Sequence, residues 1–133
     1  MNAAEQARSI EVATKIAAVV NLFKQQFPDV RADLSPWTND PDTRELVDPD
    51  SIDISFSFPG ISRLVRSRCV LVQIRFHEQH LIGIEASGFG HQGKQWTIST
   101  VDNWQFVGAY LPTDEFADKL KSFCRDIFEL FRV

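Results

Sequence analysis

Cysteine, methionine and tyrosine are scarce in this 133-residue sequence: two, one and one respectively. Two cysteines cannot brace a domain of this length as a secreted disulfide scaffold is braced, so Cys69 and Cys124 read as reduced packing residues. Long apolar runs are also missing. Residues 1–8 contain an acid and no apolar block of the kind a secretory signal needs, and the most apolar early stretch, 12–23, is interrupted by Lys15 and Asn21. These absences argue against a membrane partner and for a cytoplasmic protein. Positive charge is in deficit as well. Fourteen Lys and Arg against eighteen Asp and Glu leave a net charge of −4, which argues against a nucleic-acid backbone as partner.

What the chain does have is alternation. In residues 51–58, Ile52, Ile54, Phe56 and Phe58 alternate with Ser51, Asp53, Ser55 and Ser57, the period of a sheet with one dry and one wet face. The same parity recurs at Val70, Val72, Ile74 and Phe76, at Ile82, Ile84 and Ala86, and at Trp96 and Ile98. Two amphipathic helices flank this run. The first is expected over about 3–27, capped by Asn2 with Glu5 three places on and stopped by Pro28, with Val12, Ile16, Val19, Phe23 and Phe27 as its stripe. The last is capped by Thr113 and carries Phe116, Leu120, Phe123, Ile127 and Leu130. Both need a surface to cover, and the even face of the sheet is the large one available. The expected fold is therefore a single α+β domain over 1–133: a two-layer sandwich with an antiparallel sheet of four to five strands and the N- and C-terminal helices on one face.

Parity also bears on the hairpins. A two-residue loop at Glu78-Gln79 would oppose Arg75 to Ile82, whereas a three-residue loop ending at His80 opposes Phe76 to Ile82 and Ile74 to Ile84. The longer loop is expected, with His80 left-handed in the loop and His77 outward on the strand. After Asp102-Asn103, the residues Trp104, Phe106 and Tyr110 share one parity. They join the core if the turn is one residue longer than two, the favoured reading, and otherwise form an exposed patch. The stretch 28–50, rich in Pro and Asp, is long for a connection, and Trp37 is its only large anchor.

The motifs that would carry chemistry lose their context. Gly88, Gly90 and Gly93 have the G-x-G-x-x-G spacing of a dinucleotide loop, but a strand follows in place of the required helix, so the glycines are read as turning a hairpin. His77 and His80 are three apart at a strand tip, not four apart on a helix, so no metal site is expected. No nucleophile motif is present. Asp53 and Glu85 fall on the outer sheet face as surface acids, and no catalytic residue or cofactor is assigned.

Arg63, Arg66 and Arg68 form the one basic concentration in an acidic chain, suited to docking carboxylates or acidic surfaces. Together with Trp37, Trp104, Phe106 and Tyr110 they are the candidate binding residues. The leading expectation is a small acidic protein-binding module, an adaptor, inhibitor or chaperone-like factor without catalytic activity, whose partner is another protein. The alternative is a small-ligand domain or small enzyme with a pocket on the outer sheet face beneath the 28–50 loop. Strand 51–58 preceded by a long loop reads as an edge through which a homo-oligomer could form. In size, acidity and helix–sheet–helix order the chain is similar to secretion chaperones. That likeness rests on the fold with no matching motif, and it names no partner.

Overall fold

A seven-residue alternating strand has one dry face, and the computed structural model shows how it is covered. Residues 1–36, 49–59, 67–91 and 93–132 are described. The elements run α1 (Ala3–Gln6), α2 (Ile10–Gln26), β1 (Arg31–Asp33), β2 (Ser51–Ser57), β3 (Cys69–His77), β4 (His80–Gly90), β5 (Gly93–Ser99) and α3 (Asp114–Leu130). The strands form one antiparallel sheet in the order β1-β2-β3-β4-β5. Both long helices cover its even face. Ile54, Phe56, Val70, Val72, Ile74, Ile84 and Ile98 of the sheet are buried against Ile16, Val19 and Phe23 of α2 and Phe116, Leu120, Phe123 and Ile127 of α3. The α+β two-layer arrangement expected from the pattern is the arrangement observed.

Phenylalanine fills the space between the layers. Phe23 of α2 stacks on Phe56 of β2 with centroids 3.8 Å apart, and Phe123 of α3 meets Phe23 edge-on at 4.9 Å. These stacked and edge-to-face contacts add to area burial, each contributing about 0.5–1.5 kcal/mol.

Several local expectations are corrected. The N-terminal helix is not continuous: α1 ends at Gln6, and α2 starts afresh behind Ser9, whose hydroxyl accepts the Val12 N–H at 3.2 Å. Asn2 caps α1 without a side-chain cap bond, donating instead to Glu5 Oε1. Residues 31–33, expected to be loop, form an edge strand on β2. The segment after β5 adds only one bridge, Thr97 to Val107, and no full strand.

The β3–β4 turn is another. It has two residues, with Glu78 and Gln79 at φ +49° and +70°, so His77 opposes His80 and Phe76 opposes Leu81. A bulge then skips Ile82, since Arg75 opposes Gly83, and restores the expected pairing of Ile74 with Ile84. Leu81 therefore takes the inward place and Ile82 is 54% exposed. The primed turn wins because its twist matches that of the strands, and the bulge absorbs the parity error further in.

The first alternating strand is not an edge. β2 is bonded to β3 on one side. On the other it meets β1 and, past the end of β1, the first residues of the chain, where Asp53 N–H donates to Met1 O at 2.9 Å. The edge strands are β1 and β5.

Candidate functional site

The candidate binding residues divide into three groups. Trp37, Arg63 and Arg66 lie outside the described residues. Arg68 lies just before β3 with its side chain exposed, its N–H donating to Phe89 O and its C=O accepting from Phe58 N–H. Trp104, Phe106 and Tyr110 belong to the segment that leaves β5 and returns to α3.

That segment is held in place by specific local chemistry. Asn103 Oδ1 accepts the Gln105 N–H at 3.2 Å, an Asx turn that spans Trp104, and Trp104 itself has φ +59°. Val107 then exchanges both backbone bonds with Thr97, at 2.8 and 2.9 Å, and Tyr110 N–H donates to Gln95 O at 3.2 Å. Gly108, at φ +155°, makes this possible, because any Cβ there would run into the Gln95 carbonyl and the Trp96 backbone.

The side chains point in two directions. Phe106 meets Trp96 edge-on at 5.2 Å with Lys121 5.9 Å from its ring. Trp104 lies 6.0 Å from Phe128, with the Arg125 guanidinium 5.6 Å from its centroid. Both rings are half-buried against the core and α3. Tyr110 does not follow them and is 63% exposed. Three aliphatic residues of the same segment, none of them among the aromatic and arginine candidates, are also exposed: Val107 at 70% and Leu111 at 49% on the stretch that returns along β5, and Val101 at 62% where the segment leaves the far end of β5, against Gly83. The available signal was six large apolar residues within the eleven positions 101–111, in a stretch punctuated by Gly108 and followed by Pro112.

Arg68 is the sequence neighbour of Ser67, which belongs to a short polar network at this end of the sheet. Ser67 accepts from the buried Trp96 indole at 3.0 Å and donates to Gln95 Oε1 at 2.6 Å, and the Gln95 carbonyl accepts from Tyr110. Gly88 leaves room for the Trp96 ring that this network orients. A Cβ there would overlap the indole. Of the three spaced glycines, Gly88 and Gly93 do different work: only Gly93, at φ +102°, supplies a left-handed turn residue.

The outer sheet face is less open than alternation suggests. Asp53 has no accessible surface, and its Oδ2 lies 2.9 Å from the Met1 ammonium while Oδ1 accepts from Ser51 Oγ at 2.8 Å. The Met1 ammonium also donates to Ser51 Oγ at 2.8 Å. Glu85 is engaged by Arg75, through Nη2 at 2.8 Å and Nε at 3.1 Å to one oxygen. Both acids of the outer face are thus ion-paired. Between them, in register, Gln73 presents a buried Nε2 with no hydrogen-bond partner among the described residues.

His77 and His80 face each other at the hairpin end, both exposed, a correction to the loop position expected for His80. Among the described residues no group of three or more His, Cys, Asp or Glu is placed to hold a metal ion. Cys69 Sγ lies 2.8 Å from Ser55 Oγ, while burial pushes the Cys124 thiol up to about 12. The two cysteines are free. No described helix is long and apolar enough to cross a membrane. A groove of about 620 Å³ lies between α2 and α3, lined in part by Leu22, Gln25, Asp126 and Leu130.

No curated protein and no solved structure matches the chain. A family model does, from residue 4 to residue 133, and the chain belongs to that family, whose description is a domain of unknown function.

Proposed function

We propose that this protein is a non-catalytic protein-binding module of the cytoplasm, and that residues 101–111 with Arg68 form its contact surface. One observation carries the reading: Val107, Tyr110 and Leu111 are exposed on a stretch fixed to β5 by the backbone bonds of Val107 and Tyr110, with Val101 exposed where the segment leaves β5. Exposed apolar groups held rigidly lose little entropy on binding, and tyrosine beside aliphatic side chains and arginine is the composition of an interface centre. The left-handed Trp104 supports it, since a strained residue held by its surroundings points to a constraint other than folding. An adaptor, inhibitor or chaperone-like role fits such a surface.

The test compares tagged wild type with a Val107→Ser/Tyr110→Ser variant in affinity purification from lysate of the source organism, followed by mass spectrometry. A stoichiometric protein captured by the wild type and lost with the variant, at unchanged melting temperature, supports the assignment. A partner retained by the variant refutes the surface, and recovery of the wild type alone refutes the reading.

A second reading, a small-ligand site on the outer sheet face, is favoured by Gln73 alone, whose buried Nε2 would be satisfied by a ligand acceptor. A metabolite that raises the melting temperature of wild type but not of Gln73→Leu would move the assignment there.

A further inference from the structure

The edge strand β1 has half of its backbone in use. On β2, the Asp53 N–H turns toward the β1 side to reach Met1 O, while Phe58 N–H turns toward β3 to reach Arg68 O. Odd residues of β2 therefore face β1, and their partners Arg31 and Asp33 face back. Ala32, between them, directs its N–H and C=O outward, and among the described residues nothing bonds to either.

The side chains on this edge are self-complementary. Arg31 and Asp33 are exposed on the outer face and make no ion pair among the described residues. Asp33 Oδ1 accepts the Ser35 N–H at 2.9 Å, which fixes the carboxylate and leaves Oδ2 available. In an antiparallel pairing centred on Ala32, position 31 of one strand opposes position 33 of the other.

The helix layer continues the match. α2 meets the sheet through Ile16, Val19 and Phe23 and turns Lys15 toward Phe131, next to α3. At 100° per residue, Ile10, Ala13, Ala17 and Val20 gather on the opposite flank. α2 sits over β2 through Phe23 and Phe56, and α3 sits over β5 through Phe116 and Trp96, so that flank lies on the β1 side. Ile10 is 87% exposed, Ala13 and Ala17 are exposed, and Val20 is half-buried. Alanines allow a second helix to approach closely. The opposite edge offers no such opening, because residues 107–110 already bond to β5.

We infer that β1 pairs antiparallel with β1 of a second copy of this chain, about a two-fold axis at Ala32, joining two sheets into one. Ala32 exchanges both backbone bonds with Ala32 of the partner subunit. Arg31 meets Asp33 of the partner subunit twice by symmetry, and the α2 flanks pack above. This is an isologous contact that closes on itself. Its strand component is short, since Ala4 N–H occupies Leu34 O at the end of β1, so the dimer is weak and concentration-dependent.

The test is sedimentation velocity on the full chain from roughly 5 to 500 μM, the regime in which small interfaces associate. Wild type is expected to shift from one to two chains across the range. Arg31→Asp or Asp33→Arg alone opposes like charges twice and weakens association at least about ten-fold, and the two together restore it. Ala17→Glu, on an exposed helix position that the sheet does not touch, weakens it as well. Melting curves at the lowest concentration confirm folding, and if a β1 variant fails to fold, Ala17→Glu decides. A monomer throughout, a dimer indifferent to the single reversals or to Ala17→Glu, or a loss that the double reversal does not rescue would each overturn the inference.

Discussion

Asp53 is a carboxylate with no accessible surface, and replacing it with alanine tests how the N-terminal residues are seated. The substitution leaves the Met1 ammonium and the Ser51 hydroxyl facing a small void. Breaking one side of a buried ion pair costs about 3–5 kcal/mol. The Met1 side is 24% exposed, so its ammonium can regain water, and the expected loss falls to about 2–4 kcal/mol. Urea unfolding followed by tryptophan fluorescence should report this as a midpoint lower by roughly 1–2.5 M at unchanged slope. Asp53→Asn keeps the shape and part of the hydrogen bonding and should lose about half as much. The deficit should persist as salt is raised, because a pair this enclosed is poorly screened. A loss below about 1 kcal/mol, or one that disappears in high salt, would mean that the carboxylate is solvated and that the N-terminal residues do not cover it.

Phe56→Ala, which removes the ring stacked on Phe23, should cost about 3–5 kcal/mol in the same denaturation assay, and a loss under 1 would displace Phe56 from the core centre. Gly88→Ala forces a methyl into the Trp96 indole and should cost about 1–3 kcal/mol with a shifted tryptophan emission; unchanged emission would mean the ring does not pack there. Burial holds the folded Cys124 thiol near 12 against 9.0 for the free group. The unfolded chain therefore loses this proton first, and the contribution, full below pH 9, should fall by about 1.4 kcal/mol per pH unit between 9 and 12. Cys124→Ala should flatten that part of the stability profile, and an identical slope in the variant would contradict the assignment. At neutral pH Cys124 should react with a thiol reagent only on unfolding.

The sheet was legible because alternation is a property of the strand alone. Ile52, Ile54 and Phe56 announce a dry face wherever the strand goes, and Thr113 before an apolar stripe announces a helix start. What stayed hidden depends on more than one element. Leu81 and Ile82 are both apolar, so composition could not say which one the turn geometry would send inward. The break between α1 and α2 lies in helix-compatible residues, although Ser9 with Glu11 two places on was a usable start signal. Asp53 looked like a wet residue because its cover comes from Met1, fifty-two positions away. The candidate site was half legible for a related reason. Trp104 and Phe106 stood out as aromatics, and the core claims them, whereas the exposed positions went to Val101, Val107 and Leu111, which sequence alone does not separate from packing residues.

The phenylalanine cluster also fixes an order of events during synthesis. Phe23 is made early, Phe56 midway and Phe123 near the end, yet the three rings meet in one place. Until α3 has been translated, the even face of the sheet has only α2 as a second layer, and a growing chain presents isoleucine, valine and tryptophan that α3 will cover. Local helices form within microseconds, but this core waits on the ribosome. Slow translation between residues 99 and 116 would lengthen that interval, and in a cell the yield of folded protein should respond to codon choice there more than to any equal stretch earlier in the chain.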